Sequence, residues 1–186
     1  MNAFHRWYCN SGRWTKRLQD TYLPAVLRDL DLGDDVLEIG PGPGVATDWL
    51  RSRVARLTSV EIDHKLASAL KQRMAGTNVT VIEADATALA LPDASFSAAL
   101  SFTMLHHVPS RLQDALLREA ARVLSPGGVF VGMDSTPNFV WNLCHLSDDR
   151  NPVDPTTFAA RLEAAGFTGI RVRTAASSFS WRARKA

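Results

Sequence analysis

The chain has 186 residues, 46% hydrophobic and 22% charged, with 21 Lys and Arg against 19 Asp and Glu, a formal net charge of +2. That length and composition suit one soluble globular domain with a substantial core, and the small charge excess argues against a nucleic acid or an anionic membrane as partner. No apolar run approaches the roughly 18 residues of a membrane-spanning helix, and Cys9 and Cys144 give no CxxC zinc or disulfide framework.

The opening MNAFHRWYCNSGRW lacks the uninterrupted apolar segment of a secretory signal, so a reducing, cytoplasmic setting is expected. Residues 1–30 read as a helical preface. Phe4, Trp7, Tyr8 and Trp14 lie near helical spacing, and Leu18, Tyr22, Val26 and Leu30 continue an apolar stripe. Pro24 is expected to kink or break this helix. The aromatic residues either form a lid over a flat acceptor or staple the helix to what lies beneath it.

Short β-like runs then alternate with helical patterns. Val36–Ile39, Leu57–Ile62, Val79–Glu83, Ala98–Met104 and Val129–Met133 read as strands; Ala46–Arg53, Lys65–Ala75 and Leu112–Leu124 read as helices. Such alternation predicts a parallel sheet with helices on both faces. SPGG at Ser125–Gly128 stops a helix and turns the chain into the next strand. Asp154–Pro155 reads as an N-cap followed by proline at the first helical position, opening a helix that ends at Gly166. Ile170–Thr174 and Phe179–Arg184 have no helix between them and are expected to pair antiparallel.

The stretch VLEIGPGPG, residues 36–44, carries the chemistry. A strand that ends in a glycine-rich turn before a helix is where open α/β folds bind ligands, because glycine lets a ligand lie against bare backbone. A phosphate-binding loop would end in Gly-Lys-Ser/Thr, but Val45 and Ala46 follow Gly44. A dinucleotide fingerprint spaces its glycines G-x-G-x-x-G, whereas these run G-x-G-x-G with Glu38 just before them. A carboxylate there repels a pyrophosphate and suits an ammonium or sulfonium. Glu61, at the tip of the second strand, suits a ribose diol, with Asp63 as a competitor that more simply caps the next helix. Asp85 ends the third strand at the same edge, where it could accept from an adenine amino group.

These residues resemble those of the class I S-adenosylmethionine-dependent methyltransferases over most of the chain, from about Gly33 to Ala186. Glu38–Gly44 matches that family's E/D-x-G-x-G-x-G motif, Glu61 its ribose acid and Asp85 its adenine-side acid. RVLSPGG at Arg122–Gly128 and the final FSWRARK match two further stretches. The resemblance implies a Rossmann-like α/β fold with a seven-stranded, mostly parallel sheet of order 3-2-1-4-5-7-6, strand 7 antiparallel and helices on both faces. It implies one domain, 1–186, with residues 1–30 as preface or lid and 31–186 as the cofactor-binding core.

It also implies S-adenosylmethionine as cofactor, S-adenosylhomocysteine as product and no metal. The cofactor would lie against Glu38, Gly40, Pro41, Gly42 and Gly44, then against Glu61, Ile62, Asp85 and Ala86, with Phe102 near the sulfonium by cation–π attraction. The fourth strand ends in SFTMLHHV rather than the Asn/Asp-Pro-Pro-aromatic motif of many nucleobase and glutamine methyltransferases. That departure points to a small organic acceptor, methylated at oxygen, nitrogen or carbon, with no nucleic acid or membrane partner. Adjacent His106 and His107 would point oppositely in extended backbone, and His106 is the residue selected as base or acceptor-orienting group. The alternative is that both histidines cap or pack the fourth crossover. Trp141 and His145 are candidates for the pocket wall. Two other readings stay open: a cofactor-holding partner subunit without turnover of its own, and a nicotinamide-dependent oxidoreductase.

Overall fold

A computed structural model describes residues 11–137 and 151–186. Phe4, Trp7, Tyr8, Cys9, Trp141, Cys144 and His145 lie outside the described residues. Ser11 caps the first helix, its hydroxyl accepting from the backbone N–H of Trp14. Helix α1 (Gly12–Arg17) runs into a π-helical turn (Leu18–Tyr22) and then into α2 (Leu23–Leu27). Pro24 therefore does not break the preface. It sits in the first turn of α2, and the chain widens into the π turn just before it, which accommodates the ring and the missing N–H.

Strand β1 (Asp35–Ile39) leads through the glycine loop into α3 (Val45–Leu50), followed by β2 (Arg56–Glu61), α4 (His64–Arg73) and β3 (Val79–Glu83). Strand β4 (Phe96–Phe102) ends two residues short of the expectation, and a 3-10 turn (Leu105–His107) follows before α5 (Ser110–Val123). Strand β5 (Leu124–Ser135) begins one residue before SPGG, because Leu124 already pairs with Phe96 ahead of a register shift. Helix α6 (Pro155–Ala164), capped by Asp154, precedes β6 (Phe167–Thr174) and β7 (Ser178–Lys185).

The seven strands lie in the order β3-β2-β1-β4-β5-β7-β6. Strands β1 to β5 run parallel, and β7 runs antiparallel to both β5 and β6. The preface and α3 cover one face through Leu23, Leu50, Leu100 and Val131. Helices α5 and α6 cover the other through Leu117, Ala120, Phe158 and Leu162. A cluster of Phe130, Phe158, Phe179 and Trp181, with ring centroids 5.0–5.7 Å apart, fixes the β5–β7 end of that core. The preface is tied down at both ends. Gln19 Nε2 donates to the Val45 carbonyl beside the glycine loop, and the Arg182 guanidinium on β7 donates to the carbonyls of Val26 and Arg28 at the end of α2.

Candidate functional site

The parallel strands bring the ends of β1, β2, β3 and β4 to one edge of the sheet. The point where the order reverses lies between β1 and β4, the place where open α/β sheets hold ligands. A cleft of about 840 Å³ opens there, within the range of small-molecule sites.

Glu38 forms its floor. The side chain is buried, and its Oε2 accepts from Thr47 Oγ1 and Ser59 Oγ, both at 2.7 Å. Its Oε1 has no hydrogen-bond partner among the described residues. Burial pushes the Glu38 carboxyl up to about 7, against the two hydroxyl bonds and with help from the negative charges of Asp48 and Glu61. A buried acceptor left open in a cleft wall calls for a donor, and a cationic donor satisfies it best.

The glycine loop above is held on three sides. Gly40 N–H donates to the Val60 carbonyl, Gly42 N–H donates to Glu61 Oε2 at 2.9 Å, and Arg73 of α4 donates to the Pro43 carbonyl at 2.8 Å while pairing with Asp48. Gly44 serves this clasp: a Cβ there would stand 2.2 Å from the Arg73 guanidinium. Gly42 is different. It has φ +55°, and a Cβ would meet nothing within 4 Å, so its bare backbone faces open space in the cleft.

Glu61 also accepts from the backbone N–H of Asp63 at 3.0 Å, so one carboxylate ties the loop to the end of β2. Asp63 is the N-cap of α4, accepting from Lys65 and Leu66. Next to it Ile62 is 68% exposed, a large apolar side chain presented to the cleft rather than to a core. Asp85 is exposed at the end of β3, with Oδ1 accepting from the Thr87 backbone N–H and hydroxyl at 2.8 Å.

At β4 the chain bends through Thr103, whose φ of +51° is strained for a residue with a Cβ. The two histidines that follow are in a 3-10 turn, not in extended backbone, and their rings do not point oppositely. They lie 4.1 Å apart between centroids at 43°. His106 is 2% exposed and does not line the cleft; its Nδ1 bonds Asp134 Oδ1, and its backbone N–H donates to Asp134 Oδ2 at 3.0 Å. His107 is the histidine on the cleft wall.

Every residue expected at the cofactor lines this cleft except Gly44, which supports the loop from behind. Phe102, buried at the end of β4, and Trp14 of the preface border its far side. Sequence reasoning missed Thr47, Ser59, Arg73 and Asp134, and of the two adjacent histidines it selected His106 where His107 lines the cleft. Of the four missed, only Asp134, a lone acid closing an apolar strand, left a local signal. Among the described residues no three His, Cys, Asp or Glu side chains are grouped to hold a metal, and no helix is long and apolar enough to cross a membrane.

A glycine loop at a topological switch point, with an orphan carboxylate beneath it and acids closing the next two strands, lies where open α/β folds hold their ligands. The chain belongs to the class I S-adenosylmethionine-dependent methyltransferase family, and the family described as a methyltransferase domain matches residues 37–132. It is similar to a probable S-adenosylmethionine-dependent methyltransferase of Mycolicibacterium smegmatis, 30% identical over 73% of this chain and 52% of that one. It is also similar to the 27-O-demethylrifamycin SV methyltransferase of Amycolatopsis mediterranei, 37% identical over 61% of this chain and 42% of the other. Ribosomal RNA small subunit methyltransferase A of Deinococcus radiodurans is 50% identical over 29% of this chain and 18% of its own. The chain spans about half the length, or less, of these curated relatives. In fold it matches a chain from the complex between the Haloferax volcanii Trm112 methyltransferase activator and a methyltransferase, with a TM-score of 0.74, 17% identity and 99% and 98% coverage.

Proposed function

We infer that the protein transfers a methyl group from S-adenosylmethionine to a small organic acceptor at oxygen, nitrogen or carbon, releasing S-adenosylhomocysteine. The observation that carries this reading is the buried, unpartnered Glu38 Oε1 beside the open backbone of Gly42. A cationic amino-acid group satisfies that oxygen where a pyrophosphate would be repelled. When bound, S-adenosylmethionine supplies an electrophilic methyl on a sulfonium. The chain supplies the rest. Glu38 faces the ammonium, Glu61 takes the ribose hydroxyls while holding Gly42, and the exposed Ile62 and half-buried Ala86 offer apolar surface to the adenine near Asp85.

The small-molecule acceptor and cytoplasmic setting belong to this proposal, as does treating residues 1–186 as one domain. The rifamycin relative favours the small molecule, and the ribosomal RNA relative favours a nucleic acid. The stretch Ser101–Val108, which lacks an Asn/Asp-Pro-Pro-aromatic motif, supports the former. Family membership leaves the nicotinamide reading without support. The partner-subunit reading keeps one observation in its favour, the fold match to a chain from a complex with an activator.

Isothermal calorimetry with S-adenosylhomocysteine, with NADH and ATP as controls, tests the site. Selective micromolar binding supports the reading, and no binding refutes it. Screening phenols, amines and carboxylic acids for product then separates an enzyme from a partner subunit, because the latter binds cofactor tightly and stays silent.

A further inference from the structure

Far from the cleft, the last two strands of the sheet carry a charge pattern of their own. Strand β6 is one edge of the sheet, with β7 and α6 as its main neighbours. Its backbone groups that face away from β7 are open to a further strand. Along it the sequence alternates. Ile170 and Val172 pack at the rim of the α6-side core, while Arg171 and Arg173 are exposed on the opposite face. In register, Arg171 stands opposite Arg182 and Arg173 opposite Ser180, with Arg184 further along β7 on the same face.

These four arginines are not equivalent. Arg182 is spent on the carbonyls of Val26 and Arg28, and Arg184 donates to the Gly127 carbonyl at 2.9 Å. Arg171 and Arg173 have no hydrogen bond or ion pair among the described residues. Their charge is felt across the strands. Burial first, and then Arg173 and Arg171, hold the Arg182 guanidinium below its usual range, with Asp29 acting the other way. Like charges directly opposite one another destabilise a sheet, so an anion on this face relieves a repulsion built into the fold.

Such an edge rejects a second copy of the chain, because β6 against β6 would set arginine against arginine. The same pattern accepts its complement. In a strand added to β6, alternate residues fall on the arginine face about 7 Å apart, the spacing of Arg171 and Arg173. Acids at those positions meet guanidinium groups whose fork matches a carboxylate, and the residues between them face Ile170 and Val172. A nucleic acid fits less well, since single strands need rings to stack on, and Arg171, Arg173, Ser180, Arg182 and Arg184 offer none. An anionic membrane calls for a larger basic cluster, whereas on this face Arg171 and Arg173 are the free pair in a chain of net charge +2.

We propose that the β6 edge is a docking site for an extended acidic segment of a partner protein, with Asp or Glu alternating with apolar residues, which joins the sheet beside Arg171 and Arg173. No residue of β6 or β7 lines the cleft, so the proposal is independent of the methyl-transfer reading.

The test titrates the protein into a fluorescein-labelled peptide, Ser-Val-Glu-Val-Glu-Val-Ser, at low ionic strength, with anisotropy as the readout. The expected result is saturable binding that weakens about tenfold when both glutamates are replaced by glutamine, and by a similar factor when the protein carries Arg171→Gln and Arg173→Gln together. Bound peptide should also slow amide exchange in Phe167–Thr174. The glutamine peptide tests the charge without altering the protein, so the answer does not depend on how the double variant folds. Equal affinity for the two peptides overturns the arginine contact, and binding without slowed exchange in β6 overturns strand addition. Tighter binding of a mixed-sequence single-stranded oligonucleotide, or of phosphatidylserine vesicles, overturns the choice of partner. Absence of any peptide binding overturns the docking site itself.

Discussion

Glu38 concentrates the electrostatics of the cleft in one carboxyl group. Two hydroxyls satisfy one of its oxygens and nothing described satisfies the other, while burial holds its pKa near 7 against 4.5 in the open chain. Between those two values the folded protein keeps a proton that the unfolded chain has lost. Stability therefore falls as pH rises from about 4.5 through about 7, by a contribution on the order of 3 kcal/mol. Glu38→Gln should flatten that dependence, as read by urea unfolding at pH 5 and pH 8. A bound ammonium reverses the preference, favouring the ionised carboxyl, so S-adenosylhomocysteine binding should release protons near pH 7. Calorimetry in buffers of different ionisation enthalpy measures that release, and an equal heat in all of them would count against the contact. Gly42 supplies a second residue-scale expectation. Its missing Cβ points into free space, so Gly42→Val should leave the chain folded apart from roughly 1 kcal/mol of left-handed strain, while S-adenosylhomocysteine binding drops below detection. Unchanged affinity in the folded variant would remove the loop from the site. Glu61→Ala should weaken binding by roughly 1.5–3 kcal/mol, measured by the same calorimetry, and Glu61→Gln by less because an amide oxygen can still accept from Gly42 N–H.

Arg122 shows how an element far from the glycine loop holds part of the site. From α5 its guanidinium forks onto Glu119 and donates to the carbonyls of Leu89 and Leu91, and it pairs with Asp93. Glu119 in turn accepts the Leu89 N–H. The Arg122 guanidinium holds the Glu119 carboxyl below its usual range, and both groups pin the β3–β4 connection that contains Asp85. Arg122→Ala should cost about 1–3 kcal/mol in urea unfolding, with an unchanged slope, and Arg122→Lys should recover little because an ammonium cannot reproduce the fork. Wild-type stability in Arg122→Lys would reduce the interaction to charge alone. The sequence carried Arg122 as part of a recognisable stretch without any hint of this duty, since its partners are backbone carbonyls about thirty residues earlier. Strand–helix alternation and the positions of Glu38, Glu61 and Asp85 were legible because each is a local pattern at a strand end. The pairing of Asp134 with His106 spans 28 residues, and the 3-10 turn that brings the two histidine rings together overrides the extended backbone their neighbours suggest. Pro24 was legible as a disturbance, but whether the helix breaks or widens depends on Leu18 and Leu23 being buried against the sheet.

For the whole molecule, the cleft joins the preface, the ends of β1, β2, β3 and β4, and the starts of α4 and α5. A ligand seated there touches pieces of chain that only the folded state brings together, so it binds the native protein and not the unfolded one. At one hundred times its dissociation constant such a ligand adds about 2.7 kcal/mol. For a chain of this length each kcal/mol raises Tm by roughly 2–4 °C, so saturating S-adenosylhomocysteine should raise it by about 5–10 °C. The aromatic cluster of Trp181, Phe130, Phe158 and Phe179 lies at the other end of the sheet and lines no part of the cleft. Trp181→Ala should therefore lower stability by about 3–5 kcal/mol through a cavity, yet the ligand-induced increment should survive nearly intact, because separate sites contribute additively. Thermal scans of both proteins, with and without S-adenosylhomocysteine, measure the two effects together. Loss of the increment in a folded Trp181→Ala protein would mean that the β5–β7 end is coupled to the cleft, through Gly132 between Trp181 and Ser101, and that the two halves of the sheet do not act independently.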